Sequence, residues 1–341
     1  MVIYFQIYTF GVYNYINLEN EMKLVIMIPC LNEEKTLPVV LKSIPKKIAG
    51  IDKIEILVID DGSTDKTVEV AKQNGVKHFI HHHKNQGLAY SFRVGLRESL
   101  NLGADIIVIT DGDNQYPQKR ITDLIKPILN GKADTVIADR QVQTIEHFSP
   151  AKKLLQNIGT KVLNIAAGTK VPDGTSGFRA YTKNAAIQLN QVTRWGYAME
   201  TTIQAGNKRH AIEFITIKTN PKTRESRNFK SSWQHVRRSS VTIFRSFVMY
   251  RPYAVFMTLG FVLLVLGLIP FAHYYYLYLT TGARVYGGAH HLQSLIIGSV
   301  LLVGSFISFT LGIIADLIRT NRSLMEDILE ELKRHDIDSK H

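Results

Sequence analysis

Two short apolar runs, each ending in an acidic turn, constrain this chain more than any other feature. The run 106–109 is Ile-Ile-Val-Ile, and Thr110-Asp111-Gly112-Asp113-Asn114-Gln115 follows it. The run 54–59 leads into Asp60-Asp61-Gly62-Ser63. Apolar runs of this length, bounded by turn residues and alternating with helix-like stretches, read as buried parallel strands. In open α/β sheets, ligands lie beyond the carboxyl ends of the strands. Both acidic turns are therefore predicted to face one crevice. Hard oxygen donors at alternate positions suit a divalent cation, Mg²⁺ or Mn²⁺, which would in turn neutralise a diphosphate.

Strands are predicted at 24–28, 54–59, 106–109, 135–138 and 212–217, with helices between them. Leu37, Val40, Leu41 and Ile44 follow a helical stripe, with Thr36 as N-cap and Pro38 just inside. Thr64-Asp65 opens a second helix, 86–101 forms a third and 117–129 a fourth, which Pro127 should bend or end. The alternation predicts an α/β domain over 22–230, with a mainly parallel sheet and flanking helices. Residues 1–21 are aromatic-rich and lack Lys and Arg, so they carry neither the basic start nor the long apolar stretch of a secretory signal. They are read as an N-terminal extension, with Met22 a candidate start.

The composition changes after residue 252. The run 253–279 is long enough to cross a bilayer, which takes about 20 residues, and its far end carries Tyr274, Tyr275, Tyr276 and Tyr278 as an aromatic belt would. The run 292–318 is a second such segment. Its small residues (Gly298, Ser299, Gly304, Ser305, Gly312) permit close helix packing, either with the first span or between copies in a homo-oligomer. Lys230, Arg237, Arg238, Arg245 and Arg251 precede the first span, and Arg319, Arg322, Lys333 and Arg334 follow the second. The connecting loop has only Arg284. The positive-inside rule then predicts an integral protein of the cytoplasmic membrane, with the α/β domain and the tail 319–341 both in the cytoplasm. Residues 231–252 interleave Trp233, Val236, Phe244 and Phe247 with basic residues, as an interfacial amphipathic helix does.

The formal charge of +12, from 41 Lys+Arg against 29 Asp+Glu, points to an anionic partner. The basic stretch 218–251 adjoins a span, which favours lipid headgroups over nucleic acid. The single cysteine, Cys30, excludes an intrachain disulfide and a cysteine zinc site.

Three turns stand in order at predicted strand ends: Pro29-Cys30-Leu31-Asn32-Glu33-Glu34, Asp60-Asp61-Gly62-Ser63-Thr64-Asp65 and Asp111-Gly112-Asp113. No glycine-rich dinucleotide turn follows the first strand. In these turns the sequence resembles the family-2 glycosyltransferases, which have the Rossmann-like GT-A fold, over residues 23 to about 230. Within that family it is similar to the polyprenyl-phosphate glycosyltransferases, which include the dolichyl-phosphate mannose synthases. Asp111-Gly112-Asp113-Asn114-Gln115-Tyr116-Pro117 looks like their extended metal motif. Ala138-Asp139-Arg140 matches their basic residue after a strand, and Asp173-Gly174-Thr175-Ser176-Gly177-Phe178-Arg179 resembles their Ser-Gly-Phe-Arg loop. Lys222-Thr223-Arg224-Glu225-Ser226-Arg227 looks like their acceptor loop, with arginines where Gly and Lys are usual. Leu31 replaces the tyrosine usual in the first turn.

The resemblance implies roles residue by residue. Pro29, Leu31 and Glu33 would flank the nucleoside, with Ile59 and Asp61 near base and ribose. Asp111 and Gly112 would lie along the diphosphate, and Asp113 and Gln115, with Asp111, would hold the metal. Arg140, Arg179, Lys222, Arg224 and Arg227 would meet phosphates of donor or acceptor, for which the arginine fork is suited. Glu200 is read either as facing the sugar, binding hydroxyls or orienting the acceptor loop, or as a helix-surface acid. The implied reaction is metal-dependent, inverting transfer of one hexose from a nucleotide sugar (UDP-glucose or GDP-mannose type) to polyprenyl phosphate. Two rivals remain: a processive polysaccharide synthase and a non-catalytic scaffold subunit. Gln191-Val192-Thr193-Arg194-Trp195 matches a signature of processive synthases, but it precedes Glu200 and stands far ahead of the spans, so it is read as coincidence. His81-His82-His83 is read as a solvated loop, since three successive residues cannot face one ion on a strand. Asp65 is read as a cap.

Overall fold

The computed structural model describes residues 21–141, 150–192, 196–221, 241, 244–245, 248–281 and 289–339. A seven-stranded sheet runs β1 (Lys23–Cys30), β2 (Lys53–Asp60), β3 (His78–His81), β4 (Ile106–Ile109), β5 (Thr135–Asp139), β6 (Arg179–Thr182) and β7 (Ile212–Thr216) in chain order. In space the order is β3-β2-β1-β4-β6-β5-β7. Every pairing is parallel except those of β6, which runs antiparallel to both β4 and β5. The central strands explain the arrangement. Leu24 to Ile28 and Ile107 to Ile109 are fully buried, so both faces of these strands need cover, as parallel sheets require.

Helices supply it. α1 (Leu37–Ser43), α2 (Thr67–Gln73) and α4 (Ile121–Leu129) cover one face, with Leu37, Val40, Ala71, Leu124 and Ile125 in its core. α3 (Leu88–Asn101), α6 (Lys183–Gln188) and α7 (Tyr197–Asn207) cover the other, with Phe92, Leu96, Ile187 and Tyr197. α5 (Pro150–Ala167) packs on α7 through Leu163, Ala166 and Ala167. As expected, α4 stops two residues beyond Pro127. Five strands sit where the sequence placed them. β3 and β6 were not anticipated, and the His-rich segment is partly strand rather than loop.

Two long helices complete the described chain, α8 (Pro252–Thr281) and α9 (Ala289–Asp338). They pack on each other through small residues. Ser305 donates to the Gly260 carbonyl at 2.8 Å and Ser308 to that of Phe256 at 2.8 Å. A Cβ on Gly298 would lie 2.9 Å from the Gly267 carbonyl oxygen. This part of the small-residue face is therefore occupied within the chain. Only 11% and 22% of the most apolar windows of these helices are buried, and Phe261, Ile296, Val300 and Phe306 point outward. A soluble core helix would be mostly buried, so these surfaces suit lipid.

The tail 319–341 is not a separate element, which corrects the predicted boundary. α9 runs 50 residues without a break, about 75 Å at 1.5 Å per residue, and so extends well past a bilayer of about 40–45 Å. Its last turns grip the α/β domain. Lys333 Nζ donates to the carbonyls of Ile187 (2.9 Å) and Leu189 (3.1 Å) and to Asn190 Oδ1 (2.7 Å), closing the C-terminal end of α6. Lys208 pairs with Glu330, Arg334 reaches Asn184, and Ile337 is buried among Ala185, Ile187 and Leu189. Nearer the membrane, Arg322 donates to the Tyr250 hydroxyl and lies 5.0 Å over its ring.

Burial, reinforced by nearby Lys208 and opposed by Glu326, lowers the Lys333 pKa from 10.5 to about 8. Between those values the unfolded chain holds more protons than the folded one, so stability should rise with pH across that window. The gain is on the order of 1–3 kcal/mol at most. Melting of the full chain in detergent should show it, and Lys333→Met should lack that rise.

Candidate functional site

The three turns meet beyond the carboxyl ends of β1, β2 and β4. A Cβ on Gly112 would lie 2.8 Å from Cys30 Sγ and 3.4 Å from Glu33 Cγ, so only glycine lets the third turn close on the first. Burial, then the carboxylates of Glu33, Asp60, Asp111 and Asp113, push the Cys30 thiol well above its usual range. Four acids from three turns thus surround one point in the crevice.

Backbone-to-side-chain bonds lock the first turn to the second. Asn32 N donates to Ser63 Oγ (2.8 Å), Thr64 N to Asn32 Oδ1 (2.7 Å), Glu33 N to Thr67 Oγ1 (2.7 Å) and Glu34 N to Asp65 Oδ2 (3.1 Å). Asp65 also accepts from Thr67 N (3.0 Å) at the start of α2, the capping role expected of it. Glu33 is buried and accepts from the Thr36 hydroxyl at 2.7 Å. Leu31 is half-buried beside it, and Pro29 is buried within β1.

The histidine run serves the second turn, which corrects its reading as a solvated loop. His81 Nδ1 lies 2.7 Å from Asp60 Oδ2, and His82 Nδ1 lies 2.9 Å from Asp61 Oδ1. Asp61 also accepts from Gln86 N and Gly87 N, each at 2.8 Å, and so fixes the approach to α3. Ile59 departs from expectation. Its side chain is fully buried, and a Cβ on Gly95 of α3 would come within 2.9 Å of it. It belongs to the core and does not face a nucleobase.

Asp111, Asp113 and Gln115 are half-buried at the crevice. Asp113 Oδ1 accepts from Gln115 N at 3.1 Å, which holds these two residues on one tight turn, and Asn114 takes the left-handed conformation it needs (φ 61°). Asn220 braces the turn from the far edge of the sheet. Its N–H donates to the Gln115 carbonyl (2.9 Å) and its amide to that of Asn114 (3.0 Å). Tyr116, at the end of the turn, stacks on Phe178 and accepts from Gly177 N at 2.9 Å. Burial pushes its pKa up to about 12, so it remains a neutral phenol.

Arg140 leaves the end of β5 and meets Asp173. Nε donates to Oδ2 at 2.7 Å and Nη2 to Oδ1 at 3.0 Å, a two-point pair. Thr175 Oγ1 completes the knot, accepting from Arg140 Nη2 (2.7 Å) and from Gln156 Nε2 on α5 (3.0 Å) while donating to Asp173 (2.8 Å). Burial opposes both charges, but the pair outweighs it. It raises the Arg140 pKa and holds that of Asp173 below the usual carboxylate range. The charge of Tyr116 and that of Asp111 register at Arg140, so the arginine stands at the crevice.

Two predicted site residues have other partners. Arg179 is fully buried and donates to the Ser176 and Gly174 carbonyls (2.7 and 2.8 Å) and to the Thr201 and Thr202 hydroxyls (3.0 and 2.9 Å). It ties the loop before β6 to α7 and does not project toward a phosphate. Glu200 is likewise fully buried. It accepts from Gln191 Nε2 (2.5 Å), Val192 N (3.1 Å) and Gln204 Nε2 (3.4 Å), which corrects both its sugar-facing and its surface reading. Gln191 thus anchors to Glu200, while 193–195 lie outside the described residues. So do Lys222, Arg224 and Arg227, and most of the predicted interfacial helix.

Sequence reading gave no role to Asp173, Thr175 or Asn220. The Asp-Gly-Thr spacing signals a turn that faces its own threonine. The reach of Asn220 across the sheet leaves no local trace.

The profile described as "Glycosyl transferase family 2" matches residues 25–189, from β1 through α6. An uncharacterized protein of Methanocaldococcus jannaschii is 32% identical over 211 residues, spanning 60% of this chain and 84% of that one. The chain belongs to glycosyl transferase family 2. The UDP-N-acetylglucosamine–dolichyl-phosphate N-acetylglucosaminyltransferase of Methanococcus voltae is 28% identical over 216 residues, 57% of this chain and 84% of the relative. The family fold recurs in the crystal structure of glucosyl-3-phosphoglycerate synthase from Mycobacterium tuberculosis in complex with Mn²⁺, UDP-glucose and phosphoglyceric acid. That likeness has a TM-score of 0.51 at 19% identity, covering 67% of this chain and 79% of the other.

In a family-2 glycosyltransferase the donor set at the third turn is open to a chemical test. Among the described residues no three His, Cys, Asp or Glu side chains form a metal cluster. Asp111 and Asp113 supply two carboxylates and Gln115 an amide oxygen. A hard cation bound by one or two carboxylates, completing its shell with substrate phosphate and water, is the usual Mg²⁺ arrangement. The residues fit that role. They do not fit an all-protein cage.

Proposed function

We propose that this chain transfers one sugar from a nucleotide sugar to a polyprenyl phosphate at the membrane surface, by single displacement with inversion. The observation that carries the reading is the crevice. It sets Asp111, Asp113 and Gln115 beside Arg140, in a domain that two lipid-suited helices anchor. The relative that acts on dolichyl phosphate supports the acceptor class. The Lys and Arg residues flanking the spans support a cytoplasmic active site.

A phosphate monoester has a second pKa of about 6, so the acceptor is already largely ionised at neutral pH and needs no strong base. The protein must place it in line and stabilise the departing nucleoside diphosphate. Asp111, Asp113 and Gln115 would hold a divalent cation, which when bound neutralises charge on the leaving diphosphate. Asp173 and Thr175 fix the Arg140 fork, so its charge reaches phosphate at no cost in reorganisation. Lys222, Arg224 and Arg227 are assigned to the acceptor phosphate. Glu33 and Asp61 stiffen the nucleoside end.

The experiment supplies purified full chain with radiolabelled UDP- and GDP-sugars, polyprenyl phosphate and Mg²⁺ or Mn²⁺. The expected product is organic-extractable, carries one sugar per lipid, and falls at least about 100-fold on chelation, the scale of losing a main charge stabiliser. A ladder of sugars would replace this reading with a processive synthase, and no product from any donor would leave a scaffold.

A further inference from the structure

We infer that α5 is a third membrane contact, seated along its outer face in the headgroup–acyl boundary of the leaflet from which α8 rises. The inference rests on α8 and α9 being membrane spans and is independent of the transfer chemistry. Leu154, Ile158, Val162 and Ile165 are 60%, 50%, 37% and 59% exposed. Their spacing of four, four and three puts them on one stripe of the helix. The opposite side, Leu163, Ala166 and Ala167, is buried against Met199 and Ile203 of α7. An apolar stripe of this length facing water has no physical support; facing lipid it is ordinary.

Lipid is singled out by what lies at the end of the helix. Gly168, one residue past α5, sits against Arg251, whose Nη2 would be 3.2 Å from a Cβ there. Arg251 immediately precedes α8. Tyr250 packs on the same cluster as Leu163 and Ala167. The C-terminal end of α5 therefore stands at the point where the chain enters the bilayer. Charge agrees: residues 150–167 contain Lys152, Lys153 and Lys161 and no acid, the composition of a helix drawn to anionic headgroups. The seat has a consequence for the site. Gln156 on α5 donates to Thr175 Oγ1, which also receives Arg140. A helix lying on the membrane thus carries the Arg140 knot at headgroup height.

The test exploits the single, buried Cys30. Ile158→Cys and Ile165→Cys in the full chain are labelled with a small fluorophore. The protein is reconstituted in phosphatidylcholine–phosphatidylglycerol vesicles containing a nitroxide lipid labelled near the top of its acyl chain. Val300→Cys, on the outer face of α9, reports the span. Asn130→Cys, exposed at the opposite end of the sheet from the crevice, reports water. Quenching at both α5 positions several-fold above Asn130→Cys is expected. Quenching at Val300→Cys with both α5 positions equal to Asn130→Cys overturns the inference. Absence of quenching at Val300→Cys itself would instead remove the membrane reading on which it rests.

Discussion

Replacing Asp113 with asparagine is expected to lower the transfer rate by about 1,000-fold or more while leaving the fold intact. The turn that holds Asp113 tolerates the change. Its Oδ1 accepts from Gln115 N, and an asparagine oxygen can accept the same bond, so the loop conformation survives. The residue is only half-buried, where substitutions usually stay within about 0.5 kcal/mol. What disappears is one of two carboxylate charges at the position assigned to the cation. Loss of a preorganised charge partner costs about 3–4 kcal/mol in the transition state, two to three orders of magnitude in rate, and weaker cation binding adds to it. Initial rates at saturating Mn²⁺, with a melting curve on the same preparation, separate the two effects. A variant that melts normally and retains more than a tenth of the rate would remove Asp113 from the cation site.

The sheet was legible where physics is local. β1, β2, β4 and β5 carry apolar runs because most of their residues are covered on both faces, and a continuous run of Ile, Val and Leu shows that. β6 carries no such signal. It is four residues long and opens on Arg179, whose burial is supported by carbonyls and hydroxyls from elsewhere in the chain. β3 is an edge strand reading His-Phe-Ile-His, half polar because one side lies open. The acidic turns were legible as a crevice, since strand ends and turn residues fix where side chains emerge. Their supports were not. Asn220 reaches the third turn over more than 100 residues of sequence, and Asp173 finds Arg140 across a β5–β6 crossover. The docked end of α9 was read as a polar tail for the same reason. Lys333, Arg334 and Glu330 look like solvated helix residues until the carbonyls at the end of α6 are brought against them.

Arg179 gives the second large expectation, and it tests where the sequence reading went astray. Arg179→Ala should destabilise the α/β domain by about 4 kcal/mol or more. Truncating a large, fully buried side chain leaves a cavity worth about 3–5 kcal/mol. The carbonyls of Gly174 and Ser176 would then lose the donors they have now, at about 1–3 kcal/mol for each group left unsatisfied. For a domain of about 200 residues, 1 kcal/mol moves Tm by about 2–4 °C, so a fall of about 8–16 °C is expected. Arg179→Lys keeps the charge and loses the planar fork, which alone can reach two carbonyls and two hydroxyls at once. It should melt between the two. If Arg179 instead bound the acceptor phosphate, Arg179→Lys would melt normally and raise KM for the lipid, leaving KM for the donor unchanged. The structural assignment predicts the reverse pattern, a lowered Tm with both KM values unchanged at temperatures where the variant is folded. The contrast matters because Arg140 is expected to behave the other way. It is less deeply buried, it stands at the crevice, and Arg140→Lys should lose rate out of proportion to stability, since the guanidinium that Asp173 and Thr175 aim is the one that meets phosphate.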